Sequence, residues 1–216
     1  MKVILEAGPF SFSCQQRKLY ENVNIILYEN DFVHLKGPSG TGKSTLLRQI
    51  VGLEKYAQNV KRILSNVQYP PRNLTKFRSQ CVYLDPECPM LEGSLRENLL
   101  FPYQFKVNCH RQPTMNPEII LKKLGLSQNL DTETVYLSTG EKERLSLVRA
   151  LLFNPQVILA DEPFSGLDSE NFEITFELLY EFSQRPGKAV LYVSHAELPK
   201  KTKTLFLNNG ELKEIP

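Results

Sequence analysis

Apolar residues along this chain fall in short runs separated by turn-forming residues, and the breaks define the elements. Val23–Leu27 and Phe32–Leu35 run apolar or alternating on either side of Glu29-Asn30-Asp31, which reads as two strands and a turn. From Lys43 the period lengthens. Leu46, Leu47, Ile50 and Val51 then share one face of a predicted helix. Tyr69-Pro70-Pro71-Arg72-Asn73 reads as a loop, and Cys81–Leu84 as a buried strand stopped by Pro86.

The stretch 87–137 has a different character. Pro89, Pro102, Pro113 and Pro117 restrict it to short helices. One has a clear start, with Asn116 as N-cap, Pro117 in the first position and Glu118 in the first turn, and Gly125 as its stop. This stretch is expected to be a helical subdomain inserted between the two parts, 1–86 and 138–216, of an α/β core. The last third alternates. A helix from Thr139 ends before Pro155, and the strand Val157–Ala160 follows. A second helix, 169–184, puts Phe172, Phe176, Leu179 and Phe182 on one face, and the strand Ala189–Val193 comes next. Strand–helix alternation of this kind predicts a parallel sheet.

Composition adds limits. The 216 residues carry 26 Lys and Arg against 24 Asp and Glu, a formal net charge of +2, and 41% are hydrophobic. That describes a folded globular chain of about one domain, not a disordered one. It gives no polyanion signature, so no nucleic-acid partner is expected. No apolar run approaches the roughly 20 residues that span a bilayer. The start, Met1-Lys2-Val3-Ile4-Leu5-Glu6, is too briefly apolar for a secretory signal, so a cytosolic chain is expected. Cys14, Cys81, Cys88 and Cys109 lack C-x-x-C spacing. Reduced thiols are favoured, with a disulfide or a metal site (Cys109 adjoins His110) left open.

The strongest chemical signal is Gly37-Pro38-Ser39-Gly40-Thr41-Gly42-Lys43-Ser44, which fits G-x-x-x-x-G-K-[ST] between a strand and a helix. Glycines let successive backbone N–H groups face one anion. The helix N-terminus that follows, including Thr45, adds its positive end. Lys43 is expected to hold the β- and γ-phosphates, and Ser44 to ligate Mg²⁺. Downstream, Val157–Ala160 ends in Asp161-Glu162. A carboxylate at the tip of a buried strand beside a phosphate loop suits a second Mg²⁺ anchor, which is assigned to Asp161. Glu162 is placed to polarise an attacking water.

From here the order of motifs resembles the ATP-binding cassette ATPases over nearly the whole chain. Leu137-Ser138-Thr139-Gly140-Glu141 is similar to the family signature, and the sequence continues as the family helix does through Leu152. Pro163–Asp168 is similar to the D-loop, and Val193-Ser194-His195 to the strand ending in the switch histidine. The resemblance implies an α/β nucleotide-binding fold with an N-terminal antiparallel β subdomain and a helical insert. It also implies roles. Ser138 and Gly140 would contact the γ-phosphate of ATP held by a second subunit. Asp168 would link the two sites, and His195 would sense the γ-phosphate. Each has a plain structural alternative: Ser138 with Glu141 is a capping box, Asp168 a helix-start residue, and His195 a strand-end histidine.

The implied machine is a dimer, with a second copy or a close relative, closed around ATP and coupled to an integral membrane permease. It would sit on the inner face of the membrane through that partner. Two positions depart from the family. The glutamine that ligates Mg²⁺ falls on Pro86, so Asp85 is proposed as the replacement, with Glu87 as the alternative. Thr139 stands where the signature usually has glycine, placing a stiff β-branched residue at the helix start. The aromatic that stacks on adenine falls on Cys14, and Phe12 is taken as the stacking partner, with Tyr20 nearby. Asn98–Phe105 is similar to small bacterial cassettes implicated in iron export, which points toward a metal substrate. The rival readings are a soluble Fe–S assembly ATPase and a degenerate ATP-binding regulator. Lys43, Glu162 and His195 together argue against the latter, while Pro86 and Thr139 argue for it.

Overall fold

The computed structural model describes residues 1–15, 17–56, 59–126, 128–196, 199–200 and 202–215. Numbered in chain order, the strands are β1 (Val3–Cys14), β2 (Arg17–Tyr28), β3 (Phe32–Lys36), β4 (Lys61–Leu64), β5 (Val67–Gln68), β6 (Cys81–Leu84), β7 (Val157–Asp161), β8 (Ala189–Val193), β9 (Lys203–Asn208) and β10 (Glu211–Ile215). The α-helices are α1 (Lys43–Val51), α2 (Thr75–Arg78), α3 (Leu95–Leu100), α4 (Pro117–Lys123), α5 (Thr139–Phe153) and α6 (Ser169–Ser183). Short 3₁₀ turns cover Phe101–Gln104 and Thr134–Tyr136.

Two sheets form. An antiparallel one runs β2-β1-β4-β5, and a second runs β10-β9-β3-β8-β7-β6. The second is parallel apart from the β9–β10 hairpin. Its central strands β3, β7 and β8 are buried on both faces, and β7 shows why the sequence reads as a continuous apolar run. Val157 and Leu159 point into one core with α1 and the antiparallel sheet. Ile158 and Ala160 point into the other, with α5, α6, α3 and α4. The predicted fold class therefore holds, including the N-terminal antiparallel sheet.

Local signals explain the helix ends. Ser94 and Ser138 each form a complete capping box, with Glu97 and Glu141. The Asn116 side chain accepts from Glu118 N–H with Pro117 behind it, as predicted. The C-terminal β9–β10 hairpin is a strand pair that the periodicity reading does not assign. Its signal is the turn dipeptide Asn209-Gly210, both with positive φ, at 49° and 82°.

A buried cation ties the antiparallel sheet to α1. Arg62 on β4 is fully buried. Its Nε donates to Ile50 C=O and its Nη2 to Gln49 C=O, both at 2.6 Å, at the C-terminal end of α1. Its guanidinium lies 4.1 Å from the Tyr56 ring centre. The negative end of the helix dipole and the ring face take the place of a carboxylate. Arg62→Met takes the side-chain donor from the buried Ile50 carbonyl and leaves Gln49 C=O with only the Gly52 N–H at 3.1 Å, so it is expected to cost about 2 kcal/mol in urea unfolding.

Candidate nucleotide site

The carboxyl ends of β3, β6, β7 and β8 lie at one edge of the parallel sheet, where open α/β sheets bind ligands. Four segments leave that edge: the loop 37–42 after β3, Asp85 after β6, Asp161-Glu162 at the end of β7, and Ser194-His195 after β8. A cleft of about 890 Å³ opens there. It is lined by Ser39, Gly40, Gly42, Lys43, Ser44 and Thr45, by Glu162 and His195, and by Phe12 and Cys14 at the tip of β1.

The loop is shaped by its glycines. Gly42 has φ 91°, and a Cβ there would meet the Tyr20 ring at 2.8 Å. A Cβ on Gly37 would collide with Leu207 C=O at 2.1 Å. Gly42 caps α1 without a side-chain hydrogen bond, and the first turn holds no acidic residue. The positive helix end is thus uncompensated by the protein, which suits a polyphosphate. Lys43 is buried, and its Nζ donates to Gly37 C=O at 2.8 Å and Pro38 C=O at 3.1 Å. Thr41 Oγ1 also donates to Pro38 C=O. Burial holds the Lys43 pKa below its ordinary value, against the opposing pull of Glu162 and Asp161.

Ser44 and Asp161 meet directly, with Ser44 Oγ donating to Asp161 Oδ1 at 3.0 Å. Tyr83 OH donates to the other oxygen at 2.9 Å. Two hard oxygen donors beside a polyphosphate cradle fit Mg²⁺, which keeps much of its shell as water and substrate oxygens. Among the described residues, no cluster of three or more His, Cys, Asp or Glu forms an all-protein metal cage. The four cysteines are free.

Glu162 is held in an unusual backbone state, with φ 49°. Its N–H donates to Val193 C=O at 3.0 Å, and its Oε1 lies 3.5 Å from His195 Nε2. His195 N–H donates to Glu162 Oε2 at 3.3 Å. Asp85 shares a small cavity of about 30 Å³ with Asp161, Glu162 and Glu143. Its Oδ1 accepts from Glu87 N–H at 2.9 Å. Phe12 stacks on Tyr20 at 6.2 Å between ring centres.

The three residues expected to act across a subunit joint stand apart from this cleft. Ser138 and Gly140, at the start of α5, do not line it, and neither does Asp168, which caps α6 by accepting from Asn171 N–H at 2.8 Å. Other residues carry no motif and emerge only from packing. Tyr83, bonded to Asp161, is one, and Arg17 and Arg48 on the cleft wall are two more.

His34 is a further case. It is buried on β3, stacked on Tyr192, with its Nε2 3.0 Å from Ser194 C=O. Burial, aided by the charges of Lys36, His195 and Lys43, lowers its pKa to about 4. The unfolded chain therefore binds a proton near pH 6.5 that the folded chain refuses until about pH 4. Below about pH 6.5 this group lowers stability by up to about 1.4 kcal/mol per pH unit. His34→Gln is expected to remove that part of the slope in unfolding titrations.

Comparison with known proteins agrees with this geometry. The family model described as ABC transporter matches residues 20–165. The probable iron export ATP-binding protein FetA of Escherichia coli is 31% identical, over 98% of this chain and 95% of its own length. The phosphonates import ATP-binding protein PhnC of Fusobacterium nucleatum is 27% identical, over 98% and 92%. Among solved structures, a dimeric ATP-binding cassette in a post-hydrolysis state, bound to ADP and phosphate, superimposes with a TM-score of 0.79 at 27% identity, covering 98% of each chain. A phosphate loop opening on an uncapped helix, with two carboxylates and a histidine at the same sheet edge, recurs here with a family match over most of the chain: it belongs to the ABC transporter family, as an ATP-binding ATPase subunit.

Proposed function

We propose that this chain hydrolyses Mg²⁺-ATP as one half of an ATP-sandwiched dimer and thereby drives a membrane permease at the inner face of the membrane. The observation that carries the reading is the split of the machinery. Lys43, Ser44, Glu162 and His195 line one cleft with Asp161 bonded to Ser44 behind it, while Ser138 and Gly140 lie outside it. A second copy or a close relative would bring its Ser138–Gly140 helix end to the γ-phosphate, with Asp168 at the joint.

Within one cleft the roles follow from position. Backbone N–H groups of 40–45 bind the phosphates, and Lys43 turns from the loop carbonyls to the β- and γ-oxygens. Ser44 and Asp161 would hold Mg²⁺, which neutralises charge on the phosphates when bound. Glu162 orients the water and takes its proton, and His195 reads the γ-phosphate. Phe12 supplies an apolar wall for the base. Asp85 is proposed to support the metal in place of the glutamine lost at Pro86. Asp85→Ala is expected to lower Mg²⁺-dependent turnover about tenfold, and unchanged turnover would remove Asp85 from the site.

A second cavity of about 580 Å³, lined by Val82, Tyr83, Phe101, Phe105, Arg149 and Phe153, lies between β6 and the helical stretch 87–137. It is proposed as the permease dock, and that stretch as the subdomain that carries it. Among the described residues no helix is long and apolar enough to cross a membrane. The likeness to FetA supports metal export as the coupled process. The experiment is affinity capture of the tagged chain from detergent-solubilised membranes. Co-purification of a multi-spanning protein that raises ATP turnover is expected. A purely soluble complex would contradict the transport reading.

A further inference from the structure

The switch segment is pinned from several sides. Glu162 N–H reaches Val193 C=O, His195 N–H reaches Glu162 Oε2, and Ala196 N–H donates to Ser194 Oγ at 3.0 Å. The remaining tie comes from another strand. The register between β3 and β8 ends at His34 opposite Tyr192, so Ser194 lies beyond the ladder. There its carbonyl meets His34 Nε2 at 3.0 Å. A carbonyl only accepts, so Nε2 carries the hydrogen and Nδ1 of the neutral ring is a bare acceptor. Nδ1 is buried and has no partner among the described residues.

That arrangement is unfavourable for a core position. His34 is 1% exposed, on a strand whose neighbours Val33 and Leu35 are fully buried and apolar. A leucine would fill such a position without stranding an acceptor. What the imidazole adds is the donor to Ser194. His34 also lies on the strand that launches the phosphate loop, three residues before Gly37. One strand therefore fixes both the loop and the segment carrying His195. His34 does not line the cleft, and among the described residues its ring bonds the Ser194 carbonyl and no proposed reacting group.

We propose that His34 is a positioning residue for ATP hydrolysis, whose Nε2–H holds the Ser194 carbonyl and so sets where His195 stands beside Glu162. The inference rests on the reading of His195 as γ-phosphate sensor. The test is a cycle of wild type, His34→Leu, His195→Ala and the double variant. Each is assayed for kcat, KM and ATP affinity, with melting temperature as the control for folding.

His34→Leu is expected to lower kcat about tenfold to hundredfold, since small misplacements of a reacting group cost that much. KM for ATP stays within about twofold. In the His195→Ala background the same change has little further effect. His34→Gln, which keeps an amide donor, recovers most of kcat. An imidazole ¹⁵N spectrum of the wild-type chain shows His34 as the Nε2–H tautomer. Equal losses in both backgrounds would overturn the proposal, as would wild-type kcat in His34→Leu, a glutamine as poor as leucine, or the Nδ1–H tautomer. Unchanged kcat in His195→Ala would instead overturn the reading of His195, and this proposal with it.

Discussion

Glu162→Gln is expected to reduce ATP turnover by about three orders of magnitude while leaving ATP binding intact. The carboxylate sits one residue past Asp161 at the tip of β7, in a left-handed backbone state fixed by the Val193 carbonyl. It faces His195 across 3.5 Å. A glutamine has the same shape and keeps an oxygen for His195 N–H, so the segment stays in place. What it loses is the ability to take a proton from water. Single-turnover phosphate release reads the loss directly, and equilibrium nucleotide titration reads the retained binding. A variant with weakened ATP binding would mean that Glu162 holds nucleotide or metal instead.

Lys43→Met is expected to weaken ATP binding by about two orders of magnitude and to abolish measurable turnover. Lys43 is 7% exposed, and among the described residues its ammonium is bonded to the loop carbonyls of Gly37 and Pro38. Burial already disfavours its charge. Methionine of similar length removes a desolvated charge, so the chain without nucleotide is expected to melt within a few degrees of wild type. The contrast separates the two roles of Lys43. A large fall in melting temperature with normal ATP affinity would make it a structural lysine.

Much of this was readable along the chain, for identifiable reasons. The phosphate loop is built from contiguous backbone, so Gly37–Ser44 announces it. Strand β7 is apolar on both faces and α6 keeps a clean aromatic stripe, so periodicity finds them. Ser94, Asn116 and Ser138 start helices through bonds made within a few residues. The long strand β1 is harder, because Gly8-Pro9 and the polar Ser11 and Ser13 interrupt its alternation. Arg62, Tyr83 and His34 carry no local signature at all. Their partners, Ile50, Asp161 and Ser194, are set by how strands are ordered in the sheets. The role assigned to Ser138 is different again. Its capping geometry is local and visible, but its proposed ligand lies in another subunit.

The central claim is that one chain holds only half of each ATP site. The most direct test is the mass in solution of the Glu162→Gln chain with Mg²⁺-ATP, by light scattering, beside the same chain carrying Ser138→Arg. The expected result is a species of twice the chain mass with ATP, one chain mass without it, and one chain mass with ATP when Ser138→Arg is added. An ATP-loaded Glu162→Gln chain that stays at one chain mass, or a dimer indifferent to Ser138→Arg, would contradict the account.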